Sequence, residues 1–221
     1  MEPPMIELSH DGDVHIVTMT ASPNSVQPAF VAAMHDALDQ VDAAGGGAIV
    51  LTGSGKSFNT GLDVPAVMSL KGDDSKAFGS GLMNVFKRLS VGPTPVVAAI
   101  NGHAFAAGAF LALACDFRVM REDRGWICIS EVDVGVPIGP PLMNILRNKL
   151  SANVMAEAVL TGKRYAATDA IAAGFADEAA SEADLLGAAI KRAAELASKE
   201  TGIMATLKKQ LWAPIGDALP T

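Results

Sequence analysis

PVVAAINGHAFAAGAFLALACD, residues Pro95–Asp116, is the stretch that decides how this chain folds. Pro95–Asn101 is an apolar run bounded by proline and by Asn101-Gly102, the pattern of a buried strand. Gly102 marks a tight turn, and Ala106-Ala107-Gly108 opens a helix on very small side chains that runs to Cys115-Asp116. A helix that starts this way leaves its first N–H groups without intrahelical partners, and those groups favour negative charge. Upstream, Gly53–Val64 (GSGKSFNTGLDV) is a second place of the same kind. Two such loops can offer two backbone donors to one oxygen, the geometry of an oxyanion hole.

Working outward, strands and helices alternate on the N-terminal side. Met5–Ser9 and Val14–Thr20 read as a hairpin joined at Asp11-Gly12-Asp13. Phe30, Met34, Leu38 and Val41 recur at helical spacing, so Ala29–Ala43 reads as an amphipathic helix that Gly45-Gly46-Gly47 stops. Ala48–Thr52 is a buried parallel-type strand, and Asp63–Leu70 a short helix. Phe78, Leu82, Phe86 and Leu89 mark a further helix that ends before Pro93 and Pro95. Beyond the organising stretch, Phe117–Met120 and Trp126–Ile129 read as strands around a charged turn, Arg121–Gly125. From Pro137 on the chain turns helical, with helices expected over Leu142–Leu150, Ala152–Leu160 and Ala167–Ala173. Two more carry the stripes Leu185–Leu196 and Ile203–Leu211. Alternation followed by helices predicts an α/β fold with right-handed crossovers and a helix-covered sheet.

Composition narrows the function. The 221 residues are 50% apolar, enough for one sizeable core. The apolar runs are broken before they reach membrane-spanning length, so no membrane partner is expected. The net charge of −7 without a lysine-rich block argues against nucleic acid. No basic start followed by an apolar segment suggests export, and Ala218-Leu219-Pro220-Thr221 is not the usual peroxisomal ending. Cys115 and Cys128 both stand in apolar surroundings and read as reduced core residues of a cytoplasmic protein. There is no His/Cys ligand cluster, and GSGKS lacks phosphate-loop spacing, so no metal or nucleotide cofactor is expected.

Four segments, in order, resemble the crotonase (enoyl-CoA hydratase/isomerase) superfamily: Gly53–Val64, Pro95–Val119, SEVDVGVPIG at Ser130–Gly139, and LTGKRYAATDAIAAGFAD at Leu160–Asp177. The resemblance implies a crotonase (ClpP-like) fold, a repeated ββα superhelix with C-terminal helices. It implies an acyl-CoA thioester as ligand, with coenzyme A entering only as part of the substrate. It implies a homotrimer or dimer of trimers, with residues 1–180 as the acyl-CoA-binding core and 181–221 as a short helical trimerisation segment. Further helices would be expected past Leu207–Leu211, where only about ten residues follow, which leaves the cover of the acyl tunnel unassigned.

By position, the resemblance assigns the oxyanion-hole donors to the backbone N–H groups of Leu62 and Ala107. Ala107 stands where the family usually has the middle glycine of a triplet. An alanine can keep that donor provided no positive φ is needed at Ala106-Ala107. Val26, Thr60, Asp63, Val64, Ala106, Phe110, Ser130 and Gly139 are implied as substrate-binding. Hydratases of the family work with two glutamates. The position of the first is Phe110, which can neither activate nor protonate a water. Alignment on Gly135 keeps the second as Glu131, with Ser130 for the preceding proline. The segment MREDRGWICISEVDV also resembles plant-type Δ3,Δ2-enoyl-CoA isomerases.

One carboxylate and an oxyanion hole suit a proton shuttle in a 3-enoyl thioester better than water addition. Such a carboxyl is expected in an apolar pocket that moves its pKa upward. Hydration, hydrolysis or decarboxylation of a CoA thioester, and acyl-CoA binding without turnover, are the competing functions. Asp133 would share a side with Glu131 if the segment were extended, and is the alternative base. His103 is expected to shape the hole, and Asp116 to fix a turn by bonding backbone. Lys56, Arg118, Arg121 and Arg124 are candidates to approach CoA phosphates but read better as a solvated charged face. Trp126 and Trp212 read as packing residues.

Overall fold

The computed structural model describes residues 4–219; Pro220-Thr221, the end of the C-terminal tetrapeptide noted above, lie outside them. The chain begins with β1 (Ile6–Asp11) and β2 (Val14–Met19), paired antiparallel around Gly12 at φ 55°. Helix α1 (Pro28–Ala44) ends at Gly45, whose φ of 74° is the left-handed cap that a glycine supplies without strain. Then come β3 (Ala48–Gly53), β4 (Ser57–Asn59), α2 (Val64–Ser69), α3 (Gly72–Val91), β5 (Val96–Ile100), β6 (His103–Phe105) and α4 (Ala107–Ala114). They are followed by β7 (Phe117–Arg121), β8 (Ile127–Cys128), α5 (Glu131–Val134), α6 (Pro140–Lys149), α7 (Ala152–Thr161) and α8 (Ala167–Ala173). The described chain closes with β9 (Glu178–Ala180), α9 (Leu185–Ala197), α10 (Thr201–Leu211) and α11 (Ala213–Ala218).

Two sheets stand side by side. The larger has the order β1-β2-β3-β5-β7-β9, parallel from β2 onward, and the smaller is β4-β6-β8, also parallel. Each turn of the chain places one strand in the large sheet, the next in the small one, and then a helix: β3-β4 before α2, β5-β6 before α4, β7-β8 before α5. This is the ββα spiral that the resemblance implied. The unbroken apolar run of β5 follows from burial on both faces. Val96, Ala98 and Ile100 join the main core, while Val97 and Ala99 pack under α9 with Leu185, Ala189 and Ala193.

Three expectations change. His103–Phe105 and Ser57–Asn59, read as turn and loop, are short strands of the second sheet. Ser130–Val134 is not extended: Glu131–Val134 forms one helical turn closed by Gly135 at φ 69°. An additional helix, α11, follows Trp212 and packs on α3 and α6, where Ile215 and Leu219 join the main core. Among the described residues no helix is long and apolar enough to cross a membrane, and no group of three or more His, Cys, Asp or Glu could hold a metal ion.

Candidate active site

The site forms where the small sheet hands the chain to its helices. On the first loop, Gly61 takes φ 90°, and its N–H donates to Oδ1 of the buried Asn59 at 2.9 Å. Val26 then bridges this loop in parallel fashion: its N–H donates to the Gly61 carbonyl at 2.7 Å and its own carbonyl accepts from Asp63 N–H at 2.9 Å. In such a bridge the residue between the two bonded neighbours points its own N–H the other way. That residue is Leu62, and its N–H has no acceptor within the described chain. Asp63 caps α2 by accepting from Ala66 N–H at 3.0 Å, which holds the far side of the loop.

On the second loop, β6 passes into α4 through Ala106. The Ala106 N–H donates to the Cys128 carbonyl at 3.1 Å, and its carbonyl accepts from Ala109 and Phe110 N–H at 2.9 and 3.1 Å. Ala107, the first residue of the helix, has an N–H with no acceptor within the described chain. The two loops touch, because a Cβ placed on Gly61 would stand 3.0 Å from the Ala106 methyl and 3.5 Å from the Ala107 nitrogen. Gly108 lets α4 sit directly on β4; a Cβ there would fall 2.1 Å from the Asn59 carbonyl. The proviso on alanine conformation fails at one position. Ala106 has φ 49° and ψ −119°, a region that glycine favours, so the donor at Ala107 is presented by a strained residue before it.

A cavity of about 320 Å³ opens beside the two donors. Thr60, Leu62, Val64, Ala106, Ala107, Ser130 and Glu131, all anticipated, line it. Four others anticipated there do not. Val26 and Asp63 hold the first loop from behind, Phe110 is fully buried under the cavity wall, and Gly139 caps α6 beside the lining residues Pro137 and Ile138. The sequence did not mark the remaining wall: Leu82, Met83 and Phe86 from α3, Leu142 from α6, and Val134 and Val136. Leu82 and Phe86 were visible as an apolar helical stripe, but a stripe does not say which cavity its helix will line. Phe110 meets Phe86 edge to face, with ring centroids 6.4 Å apart.

Among the described residues Glu131 is the only Asp or Glu lining this cavity. Its residue surface is 8% exposed, and its Oε2 has no hydrogen-bond partner. Burial pushes its carboxyl above the usual range, opposed in part by a hydrogen bond from its own backbone N–H. Asp133 is not its equal. The helical turn carries it to the outside, against Gly162, where an added Cβ would stand 2.5 Å from Asp133 Oδ2.

The other singled-out residues have structural partners. His103 lies between the rings of Phe105 and Trp126, 5.2 and 5.0 Å away, and burial followed by Arg124 and Arg164 lowers its pKa. Asp116 Oδ2 accepts from Val96 N–H at 2.8 Å, the expected turn-fixing bond, and its Oδ1 accepts from Trp212 Nε1. Arg118 and Arg121 are not a solvated face but buried ion-pair partners, of Asp177 and of Asp123 with Glu182. Cys115 and Cys128 are free and buried, and burial pushes their thiols up to about 12 and about 11.

A spiral of ββα units that brings two unbonded N–H groups and a buried carboxyl to one apolar cavity has the makings of an enzyme active site. Residues 10–221 match the enoyl-CoA hydratase/isomerase family, and this chain belongs to it. It is 30% identical to enoyl-CoA delta isomerase 3 of Arabidopsis thaliana over 94% of this chain and 92% of that one. It is 34% identical to a putative enoyl-CoA hydratase of Thermus thermophilus over 85% and 75% of the two chains. Among solved structures, a probable enoyl-CoA hydratase of Mycobacterium tuberculosis superposes with a TM-score of 0.91 at 29% identity, covering 97% of this chain and 91% of its own. The protein is therefore an enzyme of the crotonase fold.

Proposed function

We propose that this enzyme moves the double bond of a 3-enoyl-CoA to the 2-position. The carrying observation is that its active-site cavity holds one carboxyl, Glu131, while the position where a hydratase of the family has its other glutamate is the buried Phe110. Ionised Glu131 takes a proton from C2 of the substrate, and the electron pair left behind forms a dienolate whose negative charge falls on the thioester oxygen. The N–H groups of Leu62 and Ala107 bind that oxygen, and losing one such donor typically costs about 2.7–4 kcal/mol of transition-state stabilisation. The same carboxyl then returns its proton at C4, which leaves the conjugated 2-enoyl thioester and an ionised Glu131. Base and acid are one group, so no water is consumed and no group beyond the CoA thioester is required. The similarity to a plant enoyl-CoA delta isomerase supports this choice over hydration. The working form is proposed to be a homotrimer or a dimer of trimers.

The test is a rate with 3-hexenoyl-CoA, followed through the absorbance of the conjugated product, with Glu131→Gln alongside. Turnover is expected in the wild type and a loss of at least about 100-fold in the variant, with acyl-CoA affinity by calorimetry nearly unchanged. Equal turnover in both would move the shuttle to another group. Product heavier by one water would make the enzyme a hydratase.

A further inference from the structure

Among the described residues Ala106 is the one non-glycine residue at positive φ that lines the cavity. The other described non-glycine residue at positive φ, Asn24, is of a type that tolerates this region, whereas alanine gains nothing there. Its φ and ψ of 49° and −119° are those of the first central position of a type II′ turn, which glycine fills without strain. Strained residues of this kind persist where the surrounding structure holds them, and they gather at binding sites. Glycine would remove the strain, and the only thing it would take away is one methyl group.

The position of that methyl gives it a role. Ala106 is half-buried, yet its N–H and carbonyl are both bonded within the fold, to Cys128 and to Ala109 and Phe110. What it can offer the cavity is therefore carbon. Its methyl stands against Gly61, between the loop that presents Leu62 and the helix that presents Ala107. Ala106 lines the same cavity as Leu62, Ala107 and Glu131, so a thioester oxygen held by the two donors would bring C1 and C2 into the space that this methyl borders.

We infer that the Ala106 methyl is a specificity element that excludes acyl groups branched at C2. The inference rests on the proposed oxyanion hole, but it concerns the shape of the site and not the reaction. A methyl at C2 and the methyl of Ala106 compete for the same space, and the strained backbone around Ala106, tied down at both polar atoms, has little freedom to yield. Linear acyl chains carry only hydrogens at C2 and pass.

The experiment compares wild type with Ala106→Gly in two readouts. The first is calorimetric affinity for butyryl-CoA and isobutyryl-CoA, which have the same atoms and differ only in branching at C2. The second is kcat/KM for 3-pentenoyl-CoA and its 2-methyl derivative. The branched-to-linear ratio is expected to rise about tenfold or more in the variant, the usual scale for one methyl group in a tight pocket. Relief of strain is expected to raise Tm by about 2–4 °C. A ratio within twofold of wild type in the binding readout overturns the inference. A binding ratio that shifts while neither protein isomerises the linear substrate upholds it and overturns the isomerase assignment instead.

Discussion

Glu131 owes its chemistry to the place of its backbone. The Glu131 carbonyl accepts from Gly135 and Val136 N–H, so the helical turn is tied at its base and the carboxyl stays under cover. Burial then favours the protonated form, which has two consequences of opposite value. As the proposed base Glu131 must lose its proton, so the acid limb of kcat/KM is expected to fall at a pH above 4.5, the ordinary value of the group. For stability, a folded pKa above the unfolded one opens a pH window in which the native chain keeps a proton that the unfolded chain has released. Within that window stability declines as pH rises, so the penalty is absent below about 4.5 and complete above the folded value. Glutamine has the same shape and no charge to bury. Glu131→Gln is therefore expected to melt higher than wild type at pH 8, with the two curves converging as pH falls to about 4. A difference in Tm that grows toward acid would mean that the carboxylate is stabilised where it sits.

Elements differ in how far their sequences announce them, and the reasons are physical. β3 and β5 are buried on both faces, so their runs are apolar throughout and were legible. β4 and β6 have three residues each, too short for a period to register, and they exist because neighbouring turns of the spiral pair them, whereas the two residues of β8 lie inside the apolar run Trp126–Ile129 and were legible as a strand. Glu131-Val132-Asp133-Val134 alternates polar and apolar residues as a strand would, yet it is a helical turn with Val132 and Val134 exposed; tertiary context overrode the local pattern. Of the positions that resemblance assigned to the site, Thr60, Leu62, Val64, Ala106, Ala107, Ser130 and Glu131 line the cavity while Val26, Asp63, Phe110 and Gly139 do not, and the wall that α3 and α6 supply was not legible, because a helical stripe does not name the cavity it will face. One junction was invisible in the sequence altogether. Lys149 at the end of α6 donates to the Cys115 carbonyl, at the C-terminus of α4, at 3.1 Å, and its ammonium stands 3.4 Å from the centre of the Trp212 ring, between α10 and α11. Burial first, and then Arg118, lowers its pKa to about 7, while Asp116 and Cys115 pull the other way and Lys208 adds to the lowering. Lys149 is thus cationic below neutrality and neutral above it. In a Trp126→Phe background, Trp212 fluorescence is expected to titrate with a midpoint near 7, and Lys149→Met to abolish that step. A titration that survives in the methionine variant would assign it to another group.

At the scale of the molecule, the C-terminal helices serve two surfaces. Lys208 of α10 is buried, where its ammonium bonds the Thr94 carbonyl and Asp116, each at 2.8 Å. This pins the helix to the body through one of its faces. On another face Ile203, Leu207 and Leu211 follow one another at four-residue spacing and are 60%, 56% and 65% exposed, an apolar stripe in water. Covering such side chains contributes about 1.5–3 kcal/mol each when burial is complete, which is ample reason for a second copy of the chain to sit there. The proposed trimer gives the stripe a partner without leaving open-ended contacts, because a head-to-tail interface that closes into a ring repeats the same contact in every subunit. Light scattering at micromolar concentration is expected to give three times the chain mass of 22.7 kDa, or six times for the double ring. Leu207→Glu puts a charge in the middle of the stripe, at an exposed position on the rim of the groove that Lys208 and Trp212 also line. It is expected to reduce the mass toward that of a single chain while circular dichroism stays that of the folded protein. A wild-type protein that scatters as a monomer would end the trimer proposal; a trimer that Leu207→Glu leaves intact would move the contact to the other exposed apolar side chains, Val132 and Leu160 first.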